Sequence, residues 1–125
     1  MRSSKRVAVV LVGHGSKTLG FDGAMKKVAL AIRRKKGIHE VRCAFLEVTA
    51  PSIPQAIEDC VRRHASEVRV LPYFVLTGKH VLQDIPRIVR EVARHYRGKA
   101  KIVLCPYLGY HPKIVSVVKE RIGRV

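Results

Sequence analysis

Residues 71–86 read LPYFVLTGKHVLQDIP, and this stretch decides the fold. Its apolar opening reads as the end of a buried strand. Thr77-Gly78-Lys79 then break the pattern, as a loop does. His80 follows on that loop. Asp84 is suited to cap a new helix, with Pro86 inside the first turn, where its missing N–H removes no hydrogen bond. A histidine therefore stands just past the C-terminal end of a strand, beside a helix start. In open α/β sheets that edge is where ligands bind.

The same strand–loop–helix unit recurs outward in both directions. Residues 6–12, continuously apolar after Arg6 and rich in β-branched side chains, read as a strand buried on both faces. Gly13-His14-Gly15-Ser16 end it, and the two glycines allow tight turns around His14. From Phe21 the period changes. Phe21, Ala24, Met25, Val28 and Ile32 fall at helical spacing, with Lys26, Lys27, Arg33 and Arg34 opposite. Gly37 stops that helix. Residues 40–48 form the second strand, with Glu47 at its end. Ala50-Pro51 make the turn, and Ser52 with Gln55 form a capping box for a second helix.

Residues 67–74 are the third strand, and the third helix runs from about Asp84 to Tyr96. Residues 101–105 are the fourth strand. Residues 113–124 are the last helix, with Ile114, Val117, Val118 and Ile122 facing inward. The order is βαβαβαβα with short connections. That predicts a three-layer α/β domain spanning residues 1–125, with a four-stranded parallel sheet in the order 2-1-3-4 and helices on both faces. Right-handed crossovers put the strand ends along a single edge.

Apolar residues make up 47% of the chain, enough for a packed core. Lys and Arg number 25 against 9 acids, a formal net charge of +16, which points to an anionic partner. Nucleic acid is the first thought, and a small polycarboxylate or phosphate the second. Cys43, Cys60 and Cys105 are scattered and lack C-x-x-C spacing. They read as reduced, buried thiols of a cytoplasmic protein. MRSSKR followed by VAVVLVG only mimics a leader, since the apolar run is short and no small-residue cleavage site follows. No run approaches the roughly 18 residues of a membrane span.

His14, Glu47 and His80 are spaced by 33 residues each, one βα unit per step. That spacing puts all three at the C-terminal rim of the sheet, facing one crevice. Two imidazoles and a carboxylate suit a divalent first-row metal, and either histidine can accept a proton near neutral pH. Taken singly, each histidine is more simply a capping or solvated loop residue, and Glu47 a surface charge. Their convergence is what argues for a site. Other catalysts fit less well. A phosphohistidine enzyme would carry Arg where Gly13 stands, and there is no G-x-S-x-G elbow, Walker A or G-x-G-x-x-G pattern. His39, His64 and His95 read as surface. His111 either touches a ligand or helps start the last helix.

VLVGHGS at residues 10–16, AFLEVTAPSIPQA at 44–56 and LPYFVLTGKHVLQDIP together resemble the short form of the CbiX-type sirohydrochlorin chelatases, over nearly the whole chain and in order. The resemblance implies insertion of Co²⁺ into sirohydrochlorin for cobalamin synthesis. Related enzymes insert Ni²⁺ or Fe²⁺. It implies no tightly bound cofactor, since the metal is a substrate. His14 matches the family's proton acceptor and metal ligand, His80 its second metal-binding histidine, and Glu47 the acid of the same site. Val75, Leu76, Thr77, Gly78 and Lys79, with His80, match the segment lining the tetrapyrrole pocket. Ala50 falls where relatives can carry an acidic substrate contact. Long members of the family hold two such units, so a single unit implies a homodimer.

The chemistry agrees. Sirohydrochlorin bears a ring of carboxylates that a basic protein attracts at long range, and a loosely held metal requires an open site. Two other readings stand beside this one. A basic α/β nucleic-acid-binding module explains the charge but not three ligand-type residues on one rim, and the chain has only three Phe and four Tyr to stack on bases. A non-catalytic metal carrier would use the same residues.

Overall fold

β1 (Val7–Gly13) sits at the centre of the molecule because of its composition. Neither face of this apolar strand carries polar side chains, so both faces need a covering layer. The computed structural model describes residues 5–125. Residues 1–4, the head of the leader-like run, lie outside the described residues. Alternation along β1 sends Ala8, Val10 and Val12 to one side, where they pack with Ile53 and Ile57 of α2 (Ile53–Arg62) and Ile85 of α3 (Ile85–His95). It sends Val9 and Leu11 to the other side, against Met25 and Ala29 of α1 (Gly23–Arg33). Leu11, Ile53, Ile57 and Ile85 are almost wholly buried. Each such side chain contributes about 1.5–3 kcal/mol by leaving water.

β1, β2 (Ile38–Phe45), β3 (Glu67–Pro72) and β4 (Lys101–Leu104) are parallel and lie in the order β2-β1-β3-β4, as the sequence implies. Gly13 registers with Phe45 and Val12 with Pro72, so three strand ends meet along one edge. α2 opens on the expected capping box. The Ser52 hydroxyl accepts the Gln55 N–H at 3.3 Å, and the Gln55 side-chain Oε1 accepts the Ser52 N–H at 2.8 Å.

Several boundaries differ from expectation. α1 starts at Gly23, two residues after Phe21, and β2 stops at Phe45, so Glu47 stands beyond the strand rather than on its end. The larger difference is α4 (Pro112–Ile122). None of its residues is buried, and Val117, Val118 and Ile122, expected to face inward, are 49%, 49% and 66% exposed. The cause is β4. It is a four-residue edge strand whose packing partner among the helices is α3, so it offers α4 little sheet to lie on.

Cys60 is buried as expected, with its thiol pushed up to about 12 by that burial and by nearby Glu40, so it is an inert packing residue. Cys43 and Cys105 are only half buried. No helix among the described residues is long and apolar enough to cross a membrane.

Glu67 is the one fully buried charged side chain among the described residues. It heads β3, with Lys5 Nζ at 3.0 Å and the Arg69 guanidinium hydrogen-bonded to it. The Arg69 hydrogen bond first, and the Lys5 contact second, hold its carboxyl below the usual carboxylate range. A depressed folded pKa adds stability above the unfolded value of about 4.3, and that stability is lost as pH falls through the folded value. Glu67→Gln should therefore lower the melting temperature by several degrees at pH 7, with the gap to wild type closing below about pH 4. A gap that stays constant from pH 3 to pH 8 would assign the loss to packing instead of charge.

Candidate metal centre

The rim is assembled from three loops, each fixed by backbone contacts. After β1 the chain turns through His14 and Gly15. Pairing between the first two strands runs on past their ends. Leu46 N–H donates to the Gly13 carbonyl at 3.1 Å, and Glu47 N–H to the His14 carbonyl at 3.1 Å. Gly15 has φ +106°, and a Cβ there would stand 1.8 Å from the Glu47 carbonyl oxygen. Only glycine allows this approach. The two loops are clasped again one step on, where Thr49 Oγ1 accepts the Ser16 N–H at 3.1 Å and donates to the Ser16 carbonyl at 2.9 Å. Between Glu47 and Thr49 the backbone closes a three-residue turn, Thr49 N–H to Glu47 carbonyl at 2.7 Å, with Val48 at φ +68°. A β-branched residue in the left-handed region is strained, and such strain concentrates at functional sites.

The third loop brings His80. It lies in a π-helical turn, His80–Asp84, that leads straight into α3 and is closed by the Ile85 N–H on the His80 carbonyl. Asp84 therefore does not cap a helix. Its backbone is helical and its side chain makes no cap hydrogen bond. Pro86 explains the difference. Within a continuous helix its ring crowds the carbonyl four residues back and removes one hydrogen bond, and the wider turn accommodates both effects. The same turn stacks residue 84 over residue 80. Asp84 Oδ2 stands 2.8 Å from His80 Nδ1. A carboxylate only accepts, so Nδ1 carries the proton and Nε2 presents its lone pair.

These loops bring His14, Glu47 and His80 together. His14 Nε2 lies 2.7 Å from Glu47 Oε1, and His80 Nε2 lies 4.0 Å from the same oxygen. The two imidazole rings are 5.0 Å apart. One ligand atom from each residue lies within 4.8 Å of the others. Two donors on a single first-row ion sit at most about 4.2 Å apart, so a shift of well under 1 Å brings all three onto one metal. His14 and Glu47 are about half exposed and His80 is 40% exposed. An ion pair that open contributes at most about 1 kcal/mol to stability. The cluster is therefore not there to hold the fold, and its open face leaves room for a further ligand.

The segment Val75–Lys79 lies exposed beside the histidines. Unburied apolar side chains flank the site residues along the chain, Val48 after Glu47, Val75 and Leu76 before His80 and Leu82 after it, each at least half exposed. His14 also walls a pocket of about 220 Å³ with Phe21, Met25, Phe45 and Tyr73. Ala50 is not part of that pocket. It lines a separate groove with Lys26, Cys43 and Pro51 along β2. His111 starts α4, its Nδ1 accepting the Lys113 N–H at 3.1 Å, and so is a capping residue. The residue that sequence reasoning misplaced is Asp84. The signal that could have found it is His80 and Asp84 four apart on one helical face.

Comparison with known proteins follows the same lines. A chloroplastic sirohydrochlorin ferrochelatase from Arabidopsis thaliana is 31% identical over 91% of this chain and 50% of its own length. A sirohydrochlorin cobaltochelatase from Sulfolobus acidocaldarius is 30% identical over 92% of this chain and 89% of its own. The sirohydrochlorin chelatase SirB from Bacillus subtilis subspecies spizizenii, solved in complex with cobalt, superposes with a TM-score of 0.86 at 25% identity, over 98% of this chain and 51% of that one. The chain thus spans about half the length of several relatives it matches. The CbiX family profile matches residues 8–125, a span holding all but the first residue of the four strands and the three rim residues, and the chain belongs to the CbiX family.

Proposed function

We propose that this chain, as one chelatase domain over residues 1–125, inserts Co²⁺, or alternatively Ni²⁺, into sirohydrochlorin in the cytoplasm and releases two pyrrole protons. One observation carries the reading. Two imidazoles and a carboxylate converge on an exposed rim, with exposed apolar side chains on the same loops. A flat macrocycle can rest on Val48, Val75, Leu76 and Leu82, while its carboxylates reach outward to the basic surface. Relatives named for iron and for cobalt share the framework, so the metal is to be settled by assay.

The steps follow from the geometry. The metal is held by His14 Nε2, His80 Nε2 and Glu47 on one face of the ring. Exchange of a dication for two N–H protons keeps the macrocycle's charge in balance. As the metal passes to the pyrrole nitrogens, His14 Nε2 regains its lone pair and takes a proton. Glu47, 2.7 Å away, relays it to solvent, and the second pyrrole proton leaves by the same path once His14 is deprotonated again. Asp84 keeps the His80 tautomer that leaves Nε2 free. Thr77, Gly78 and Lys79 line the substrate beside His80, whereas Ala50 lines the separate groove along β2 and offers the substrate no polar contact.

We also propose that a second copy supplies the other wall of the pocket. α4 presents Val115, Val117, Val118 and Ile122 to solvent. On the α1 side of the sheet, Leu71, Val103 and Cys105 are left half buried. Both are apolar surfaces that association would cover. Phe21 contributes less than its exposure suggests, since its ring already packs edge-on to Phe45 at 5.3 Å. Tyr110, 79% exposed, is free to reach a partner.

An anaerobic absorbance assay with sirohydrochlorin and Co²⁺, Ni²⁺ or Fe²⁺ in turn should give the metallated spectrum with at least one metal. Absence of a shift with all three would leave a metal carrier or a nucleic-acid-binding module. His14→Ala and His80→Ala should each lower the rate at least about a hundredfold with little change in melting temperature. Wild-type rates in both would remove the assigned site. Asp84→Asn should weaken metal capture by about tenfold to a hundredfold and leave tetrapyrrole affinity unchanged. Equal losses of both would mean that Asp84 only holds the helix start. Light scattering should give a particle near twice 14.0 kDa that persists in high salt and dissociates in Val118→Glu. A monomer that still chelates would refute the two-walled pocket.

A further inference from the structure

A second cavity lies at the other end of the sheet from the histidines. It measures about 690 Å³ and lies where the strands begin and α1 and α2 end. Five arginines line it, Arg6, Arg33, Arg42, Arg62 and Arg63, against a single acid, Glu40. Arginines at helix C-termini balance the helix dipole, which accounts for Arg33 and Arg62 in the last turns of α1 and α2. It reaches Arg63 too, the C-cap of α2, but does not account for Arg6 or Arg42.

Counter-charge is short here. Arg42 is held by Glu40 and by Asp59 at 3.6 Å, and Arg62 by Glu58 at 3.4 Å. Glu40 is turned inward, 14% exposed, with one oxygen wholly buried. Arg63 Nε reaches it only at 3.9 Å. Arg6 and Arg33 have no acidic group within 4.0 Å among the described residues. Three guanidiniums from three different elements therefore border one cavity without full neutralisation. Two of the three stand on fixed backbone. Arg6 N–H donates to Ser66 Oγ at 2.9 Å and its carbonyl accepts the Ser66 N–H at 2.9 Å. The Arg63 carbonyl accepts His39 Nε2–H at 3.0 Å.

We propose that this cavity is a binding site for a small polyanion carrying two or more phosphoryl groups, independent of the metal centre. The volume is that of a ligand pocket. Arginines drawn from three separate elements can offer donors from several sides, which suits a tetrahedral phosphate, accepting all round, better than a planar carboxylate, which accepts in its plane. Binding relieves the mutual repulsion of the arginines, so the ligand stabilises the fold as well as occupying the site.

The test is calorimetric titration of the full chain with inorganic tripolyphosphate at physiological salt, with citrate and a short single-stranded DNA in parallel. Wild type should bind tripolyphosphate saturably at one site per chain, more tightly than citrate, with a raised melting temperature. Arg33→Ala/Arg63→Ala should bind about tenfold more weakly or worse, and lose the thermal shift, with the chelation rate unchanged. Arg33→Lys keeps the charge but loses the fork and should fall between the two. Both arginines are exposed, so these variants fold. Equal affinity in the double variant, citrate binding as tightly, or DNA binding more tightly at several sites per chain would each overturn the proposal in favour of a merely basic surface.

Discussion

The rim depends on one close approach, the backbone of Gly15 against the carbonyl of Glu47. A Cβ at position 15 would fall 1.8 Å from that oxygen, so a side chain there would force the two loops apart. Because the loops touch, β1 and β2 can go on pairing past their ends, and His14 and Glu47 come out side by side. The Ser16–Thr49 hydrogen bonds and the strained turn at Val48 hold the same contact from the other side. The sheet beneath supplies rigidity, since β1 is buried by helices on both faces. The close approach then sets which polar atoms face each other.

Stability and function are kept apart in this chain. The apolar layers around β1 and the buried Glu67 cluster hold the fold and lie away from the histidines. The rim triad is exposed and contributes little to stability, which suits the proposed role of taking up a metal and giving it away. A closed cage of buried ligands would hold the ion too well. His80 shows how an exposed ligand is still kept in order. Its Nδ1 is tied to Asp84, so only the orientation of one ring nitrogen is fixed, and the metal face stays open.

The strand order, both covering layers and the meeting of His14, Glu47 and His80 were legible in the sequence. They follow from local rules: alternation, helical spacing, short connections and the 33-residue step. What was not legible depends on contacts between segments. Pro86 does stand in the first turn of α3, as read, but helical backbone runs on before it through the turn His80–Asp84, and no local signal shows that the proline's clash will be absorbed by widening that turn. Asp84 was misread for that reason. The apolar stripe of α4 showed that the helix needs a partner, but not that its own sheet is too short to be one. The arginine cavity joins three segments far apart in the chain, so its charges could be counted in the sequence but not placed.

The central claim is that a single open centre at the rim takes the metal through both histidines. X-ray absorption of the Co²⁺-loaded protein tests it most directly. The account predicts a first shell with two imidazole nitrogens and carboxylate and water oxygens, losing one imidazole in His14→Ala and one in His80→Ala. A shell that keeps both imidazoles in those variants, or that holds oxygen donors alone in the wild type, would contradict it.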